Sequence, residues 1–388
     1  MVACFYDLIL KRGISFSIAL CFLVNCSVYA KSQDYYLDDV AFGLNTPWGM
    51  DFLSDNRAII TEKEGKLWLL EIADNNGSGS LQKVNGLPAV KQVGQGGLLD
   101  VKLAPIEYWE NELPTLFFTY VAASTETGKT NLPSLFLGKA ILNGMQLENW
   151  QVLFESNKPQ SGGRHFGSRI TFDKEGHVYF SMGDRGQRQN SQMLTKHSGS
   201  IFRLNMDGTV PTDNPFVGQE SAMPEIWSYG HRNPQGLHFD LNTDTLWSIE
   251  HGPRGGDEIN LIERGKNYGW PVISYGREYV SNLKVSKVSA KDGMEQPIHF
   301  YIPSIAPGSL IVYSGKKFPE LQGVLMSGAL KLRHLNLVTV DEEKQFKQEQ
   351  RVFTNDKERI RNVVESPNGE IFLVTDSGKI VRMARKKP

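Results

Sequence analysis

The sequence predicts an all-β fold, a six-bladed β-propeller whose long loops gather on one face. A polar turn containing Gly or Asn recurs along the chain, each time followed by a short run of alternating or β-branched apolar residues and a further turn. Sustained helical periodicity is nearly absent. No Pro/Ser-rich linker, charge block or low-complexity tract divides the chain after Ala30, so one continuous domain over 31–388 is expected. Short strands at regular spacing between turn signals are the pattern of all-β repeats and barrels, and successive Gly-turned hairpins are how propeller blades read.

Taken in order, four stretches read as strand–turn–strand hairpins: DFLSDNRAIITEKEGKLWLL from Asp51, TFDKEGHVYFSMGD from Thr171, HFDLNTDTLWSIEHG from His238 and ESPNGEIFLVTDSGKIVRM from Glu365. DNNGSGS, from Asp74 to Ser80, reads as a surface turn between strands. Dividing the residues after Ala30 by six gives about 60 per blade, more than the roughly 40–45 of compact WD-type blades. The excess is assigned to loops. Spacing alone leaves a β-sandwich pair, or a ring of seven or eight blades, as alternatives.

Residues 1–30 have a different character. Lys11 and Arg12 precede an apolar run from Ile14 to Val28, and Val28-Tyr29-Ala30 offers neutral or small residues at a cleavage site. This pattern predicts a secretory signal peptide over 1–30 and a periplasmic protein, the apolar run being too short for a comfortable membrane span. All three cysteines (Cys4, Cys21, Cys26) fall in that part, so the exported chain is expected to hold no disulfide. Leu23-Val24-Asn25-Cys26 loosely resembles a lipoprotein processing site, but Asn25 is a poor residue before such a cysteine. At 388 residues, 40% hydrophobic, the chain has ample material for a core. A formal net charge of −1 gives no nucleic-acid or anionic-membrane footprint.

Candidate functional residues sit in Gly-framed loops: Gln95 in GQGGLLD, His165 in GGRHFGSR, Asp184 in SMGDRG, Arg232 and Asn233 in YGHRNPQG, Lys331 in GALK, and Arg359 and Arg361 in ERIRN. His165 has the pKa range of a general base for a hydroxyl proton, and Asp184 could orient its imidazole. A structural histidine and a turn-closing Asp satisfy the same motifs. Arg359 and Arg361, two apart on a strand, point to one face, where two guanidinium groups repel unless an anion lies between them. Lys331 has Arg333 two residues on, and spacing does not decide which points inward. Gly252 and Pro253, in HGPRGGDEIN, form a turn whose carbonyls can face a hard cation. Asp257 and Glu258 supply carboxylates and Tyr268 follows ten residues after Glu258. Oxygen donors without His or Cys suit calcium.

In this order the motifs resemble the soluble pyrroloquinoline quinone (PQQ)-dependent glucose/sorbosone dehydrogenases, and among them the periplasmic aldose sugar dehydrogenases, from TPWGMDF at Thr46 to the C-terminal hairpin. The resemblance implies a six-bladed propeller with PQQ at the mouth of the central channel. It implies His165 as catalytic base, Asp184 as its supporting acid and Arg232 as the cation beside the quinone. Gln95, Asn233, Lys331, Arg359 and Arg361 are implied as PQQ contacts, with Ser304 standing where some relatives have Thr. Gly252 and Pro253 are implied as carbonyl ligands of the Ca2+ that bridges to PQQ, and Glu258, Tyr268 and Tyr279 as members of a second Ca2+ site. The expected reaction oxidises the C1 hydroxyl of an aldose to a lactone, with an external electron acceptor and broad sugar tolerance, in a monomer or homodimer. A calcium-dependent lactonase-type propeller hydrolase and a non-catalytic binding propeller are the rival readings. No Rossmann GxGxxG follows a strand, which disfavours a nicotinamide cofactor.

Overall fold

The computed structural model describes residues 34–73 and 78–386. The expected signal peptide and residues 74–77 of the DNNGSGS turn lie outside the described residues. Six antiparallel sheets of four strands each follow one another around a ring, and the six-bladed propeller expected from the sequence is what forms. The inner two strands of each blade position everything that follows. They are Pro47–Ser54 and Arg57–Glu62 in blade one, Leu98–Leu103 and Thr115–Ala123 in blade two, and Ile170–Phe172 and His177–Met182 in blade three. Blade four has Pro234–Asp240 and Thr245–Glu250, blade five Ile311–Val312 and Leu325–Ala329, and blade six Ile360–Glu365 and Ile371–Thr375.

The burial of each strand explains its composition. Second strands such as AIITE within Arg57–Glu62 and IFLVT of Ile371–Thr375 are buried on both faces, so they read as continuous apolar runs. Outermost strands such as Phe346–Val352 are largely polar and partly solvated. Between blades two and three, Phe117, Phe154, Phe172, Phe180 and Phe202 pack ring to ring, with centroids 4.8–5.2 Å apart. Aromatic pairs in such tilted and edge-on arrangements add to the hydrophobic contribution of their buried area.

The ring is closed by the N-terminal strand. Tyr35–Ala41 pairs antiparallel with Ile380–Arg385, from Tyr35 opposite Arg385 to Ala41 opposite Ile380, and becomes the outer strand of blade six. First and last segments of the domain are therefore held by the same hydrogen-bond ladder.

Arg169 sits at the axis. Its Nη1 donates to Asp100 Oδ1 (2.7 Å), its Nε to the Gln235 carbonyl (3.0 Å), and its Nη2 to the carbonyls of Gly308 (2.9 Å) and Arg361 (3.0 Å). The guanidinium lies 4.0 Å from the Trp48 ring centroid. Those partners belong to blades two, four and six, the lead-in to blade five, and blade one, so a single side chain of blade three reaches all the others. A cavity of about 270 Å³ opens beside it, bordered by Trp48, Leu99, Ser168, Gln235 and Arg361. Arg169 itself lines a narrower space with Asp100, Lys102, Thr171 and His238.

Antiparallel pairing places the start of each first strand and the end of each second strand on the same face of the ring. Gln95, His165, Arg232, Asn233, Ser304 and Arg359 precede first strands. Asp184, Gly252, Pro253 and Lys331 follow second strands. Their scatter along the sequence thus becomes one face.

Candidate active site

His165 is built on a constrained loop. Its φ is +53°, an uncommon conformation for a residue with a Cβ and one that persists where surroundings enforce it. Its backbone N–H donates to Gln95 Oε1 (2.7 Å), and the loop's Gly163 carbonyl accepts from the Gln95 N–H (2.8 Å). Arg185, buried and stacked 3.3 Å from the Phe166 ring centroid, donates to the carbonyls of Gly162 and Arg164 on either side. Gly183 is required behind the loop: a Cβ there would stand 2.6 Å from the His165 carbonyl oxygen and 2.9 Å from that of Arg232. Glycine lets the three backbones converge.

His165 Nδ1 lies 2.6 Å from Asp184 Oδ1. A carboxylate only accepts, so Nδ1 carries the proton and Nε2 keeps its lone pair. Asp184 Oδ1 also accepts from the Gly186 N–H (2.7 Å), and Oδ2 accepts from Trp270 Nε1 (2.8 Å). Burial is the largest influence on both groups. It depresses the imidazole below the ordinary histidine value, helped by the charge of Arg232 and opposed by the bond to Asp184. It pushes the Asp184 carboxyl up, but the His165 bond and the His165 and Arg232 charges outweigh it, leaving the acid below its usual range. The result is a neutral base held by an ionised acid at neutral pH.

Beside this pair the central cavity is lined by Lys63, Gln95, Asn233, His251, Arg359 and Arg361. Gln95 gives its oxygen to His165, so its amide nitrogen remains for a ligand. Asn233 Oδ1 accepts from the Gly167 N–H (3.1 Å), orienting its amide in the same way. Both guanidinium groups of the Arg359–Arg361 pair reach one carboxylate, Asp376: Arg359 Nε to Oδ2 (2.9 Å) and Arg361 Nε to Oδ1 (3.0 Å). The anion that the pair requires is thus partly supplied by the protein. Two cations still share a single negative charge, and Lys63 adds another, so the wall favours an anionic ligand.

An adjoining polar pocket is lined by Arg232, Glu250, Gly252, Pro253, Glu258 and Tyr268, with His251 common to both spaces. Burial, reinforced by the neighbouring Glu250 and Asp257, raises the Glu258 carboxyl well above its ordinary value. A buried acid facing a second carboxylate is the environment that a cation relieves. The Gly252–Pro253 turn is fixed by Asp257, which accepts from the N–H groups of Gly252 (2.8 Å) and Ala306 (2.8 Å) and from the Ser304 hydroxyl (2.6 Å). The carboxylates of Glu250 and Glu258 and the carbonyls of the Gly252–Pro253 turn are oxygen donors of the kind that suit Ca2+.

A model of the glucose/sorbosone dehydrogenase family matches residues 44–382. The chain belongs to that family. It is similar to the aldose sugar dehydrogenase YliI of Escherichia coli, 35% identical over 348 residues that cover 88% of this chain and 90% of that one. The crystal structure of the soluble E. coli aldose sugar dehydrogenase in its apo-form superposes with a TM-score of 0.83 at 32% identity, covering 91% of this chain and all of the other. A third relative, the quinoprotein glucose dehydrogenase B of Acinetobacter calcoaceticus, is 29% identical over 68% of this chain and 59% of its own length.

Within this glucose/sorbosone dehydrogenase fold, several expected site residues take different places. The Ser304 hydroxyl is committed to Asp257, so Ser304 shapes the carbonyl turn and makes no direct cavity contact. Asp257 is held by three protein donors, two of them on Oδ2. Tyr279 does not line the Glu258–Tyr268 pocket but borders it through Pro253, whose carbonyl accepts from the Tyr279 hydroxyl (3.1 Å). The Tyr268 hydroxyl donates to the Leu261 carbonyl and accepts from the Glu263 N–H, which leaves only its backbone oxygen for a metal. Lys331 and Arg333 are both exposed on the rim.

Other members were given no role by the motifs. Glu250 accepts from the backbone N–H groups of Arg232 (2.6 Å) and Asn233 (3.3 Å) and so fixes that loop. His251 is held near the Pro307 carbonyl (2.6 Å), and its carbonyl accepts from Arg232 Nη1 (3.0 Å). Lys63 and Asp376 each follow a second strand directly, as Asp184 nearly does. Aligning the blades on their second strands would have found them.

Proposed function

We propose that the chain is a PQQ-dependent aldose dehydrogenase. The observation that carries this reading is the His165–Asp184 pair, locked in one tautomer, on the loop whose Gln95, Phe166 and Gly167 neighbours line a cavity walled by Lys63, Arg359 and Arg361. A small polyanion beside a base is what that arrangement suits. Gln95, Asn233, Arg359, Arg361 and Lys63 would hold the carboxylates of PQQ, with Lys331 on the rim and Arg232 beside the quinone. The carbonyls of Gly252 and Pro253 would hold one Ca2+, and Glu258 with the Tyr268 carbonyl a second. When bound, PQQ supplies the hydride acceptor and Ca2+ the Lewis acidity; the protein supplies orientation and electrostatics.

His165 Nε2 takes the proton of the anomeric hydroxyl, and the imidazolium so formed is stabilised by Asp184. Arg232 stabilises the negative charge that develops opposite the departing C1 hydride. Loss of that proton and that hydride converts the cyclic hemiacetal to a lactone, and an external electron acceptor takes up the electrons. The reading includes tolerance of more than one aldose. An apolar leader rich in the features of a signal peptide supports export to the periplasm, and among the described residues no helix is long and apolar enough to cross a membrane.

Calorimetry with PQQ, with and without Ca2+, followed by dye reduction on adding glucose, tests the reading. Saturable calcium-dependent binding and sugar-dependent reduction are expected. Absence of PQQ binding would contradict it, and lactone hydrolysis by cofactor-free protein would favour a hydrolase.

A further inference from the structure

We infer that Trp270 is a positioning residue for the His165–Asp184 pair, its indole N–H holding the carboxylate oxygen that the imidazole does not use. The inference rests on the reading of His165 as the catalytic base and adds to it a third member from a different blade.

The Asp184 side chain is almost fully buried, and each of its oxygens has an assigned donor. Oδ1 serves His165 and the Gly186 N–H. Oδ2 serves Trp270 Nε1 at 2.8 Å. Without the indole, Oδ2 would be a buried charged oxygen with no donor among the described residues, and the carboxylate would be fixed through Oδ1 alone. The Oδ1 bond to the His165 ring would persist but with a looser aim. The aim of the His165 ring, and with it of Nε2, therefore depends on the indole as well as on the Oδ1 bond.

Trp270 is itself fixed well enough to do this. Its backbone N–H donates to the Gly230 carbonyl (2.8 Å), and its carbonyl accepts from Gln192 Nε2 (2.8 Å). Its ring packs against two guanidinium groups, Arg232 at 5.4 Å and Arg188 at 5.6 Å from the centroid. Arg188 is in turn anchored on Glu278 through Nη1 (2.6 Å) and Nη2 (3.2 Å). The ring arrives on the segment after Tyr268, which belongs to blade four, whereas Asp184 belongs to blade three. Trp270 thus fastens the base of one blade to the cation, Arg232, of the next.

The indole dipole also has a definite electrostatic sign. Its positive end faces the carboxylate and weakens the hold of Asp184 on a protonated imidazole. Other charged and titratable groups face the pair: Arg185, Arg188 and Arg232 act on Asp184, and Arg164, Arg232 and His251 on His165. None of them changes when the indole N–H is removed. Loss of that donor therefore raises the affinity of His165 for a proton, by about half a pH unit for one neutral hydrogen bond.

The test replaces Trp270 with 3-benzothienylalanine, in which sulfur stands for the N–H while ring size and the two cation contacts remain. Trp270→Phe is the second variant. His165 is titrated by NMR in the cofactor-free protein, its resonance assigned with His165→Gln, and turnover is followed against pH with PQQ and Ca2+ bound. Both variants are expected to move the His165 titration and the acid limb of kcat upward by about half a pH unit, with kcat about tenfold lower and PQQ affinity and KM within about threefold of the parent. An unmoved His165 titration in the benzothienyl variant overturns the positioning role, even if Trp270→Phe is destabilised. Retained turnover in His165→Gln would sink the parent reading instead, and the NMR result would still decide the Trp270 contact.

Discussion

At His165 a positive φ, a backbone bond to Gln95 and a side-chain bond to Asp184 act on one residue. Each restricts a different degree of freedom: the loop path, the ring position and the tautomer. Burial then keeps the imidazole below its ordinary value, with Arg232 pushing the same way and Asp184 opposing. A base of that kind is neutral, and active, throughout the neutral range. Turnover is therefore expected to hold down to about pH 6.5, the ordinary histidine value, and to fall only below it. A kcat profile from acid to neutral pH checks this; an acid limb centred above pH 7 would contradict it. Residue chemistry was legible in the sequence where a motif joined a reactive side chain to its glycine frame, as in GGRHFGSR and SMGDRG. It was illegible where the decisive partner was remote. Nothing near Arg359 and Arg361 announces that Asp376 lies between them, and nothing near Ser304 announces that Asp257 takes its hydroxyl.

Strands were read more reliably than their boundaries. The four hairpins from Asp51, Thr171, His238 and Glu365 each contain the blade's second strand in full, while the first strand begins before each stretch, because buried second strands are continuous apolar runs that turn residues cut cleanly. Blade five resisted: its first strand is only Ile311–Val312, too short for alternation to register. Ring closure resisted too. Tyr35–Ala41 reads as a local strand, but its partner Ile380–Arg385 is at the opposite end of the chain, and no local pattern encodes a pairing of that range. The excursion between Ile262 and His299 carries Tyr268, Trp270, Glu278 and Tyr279 and has no repeat to align it with other blades. Its contribution to the site emerges only when Trp270 reaches Asp184 and Tyr279 reaches Pro253.

The propeller as a whole converts antiparallel pairing into a functional face, and Arg169 holds the six blades at their common axis. Its partner Asp100 is buried with it, their side chains 2.7 Å apart at the nearest atoms. Arg169→Met would leave that buried carboxylate without its ion-pair partner and release four acceptors at once, at a cost of about 3–5 kcal/mol. A lower denaturant midpoint is expected, with Arg169→Lys between parent and Met; an unchanged midpoint would show that the axial contacts contribute nothing. The central claim is that one face assembles a base around an anionic quinone. Its most direct measurement is the His165→Gln protein, assayed for PQQ affinity by calorimetry in Ca2+ and for aldose turnover by dye reduction. Affinity within about threefold of the parent and turnover lower by about 10²–10⁴ is the predicted result. Near-parent turnover, with PQQ bound, would contradict the account.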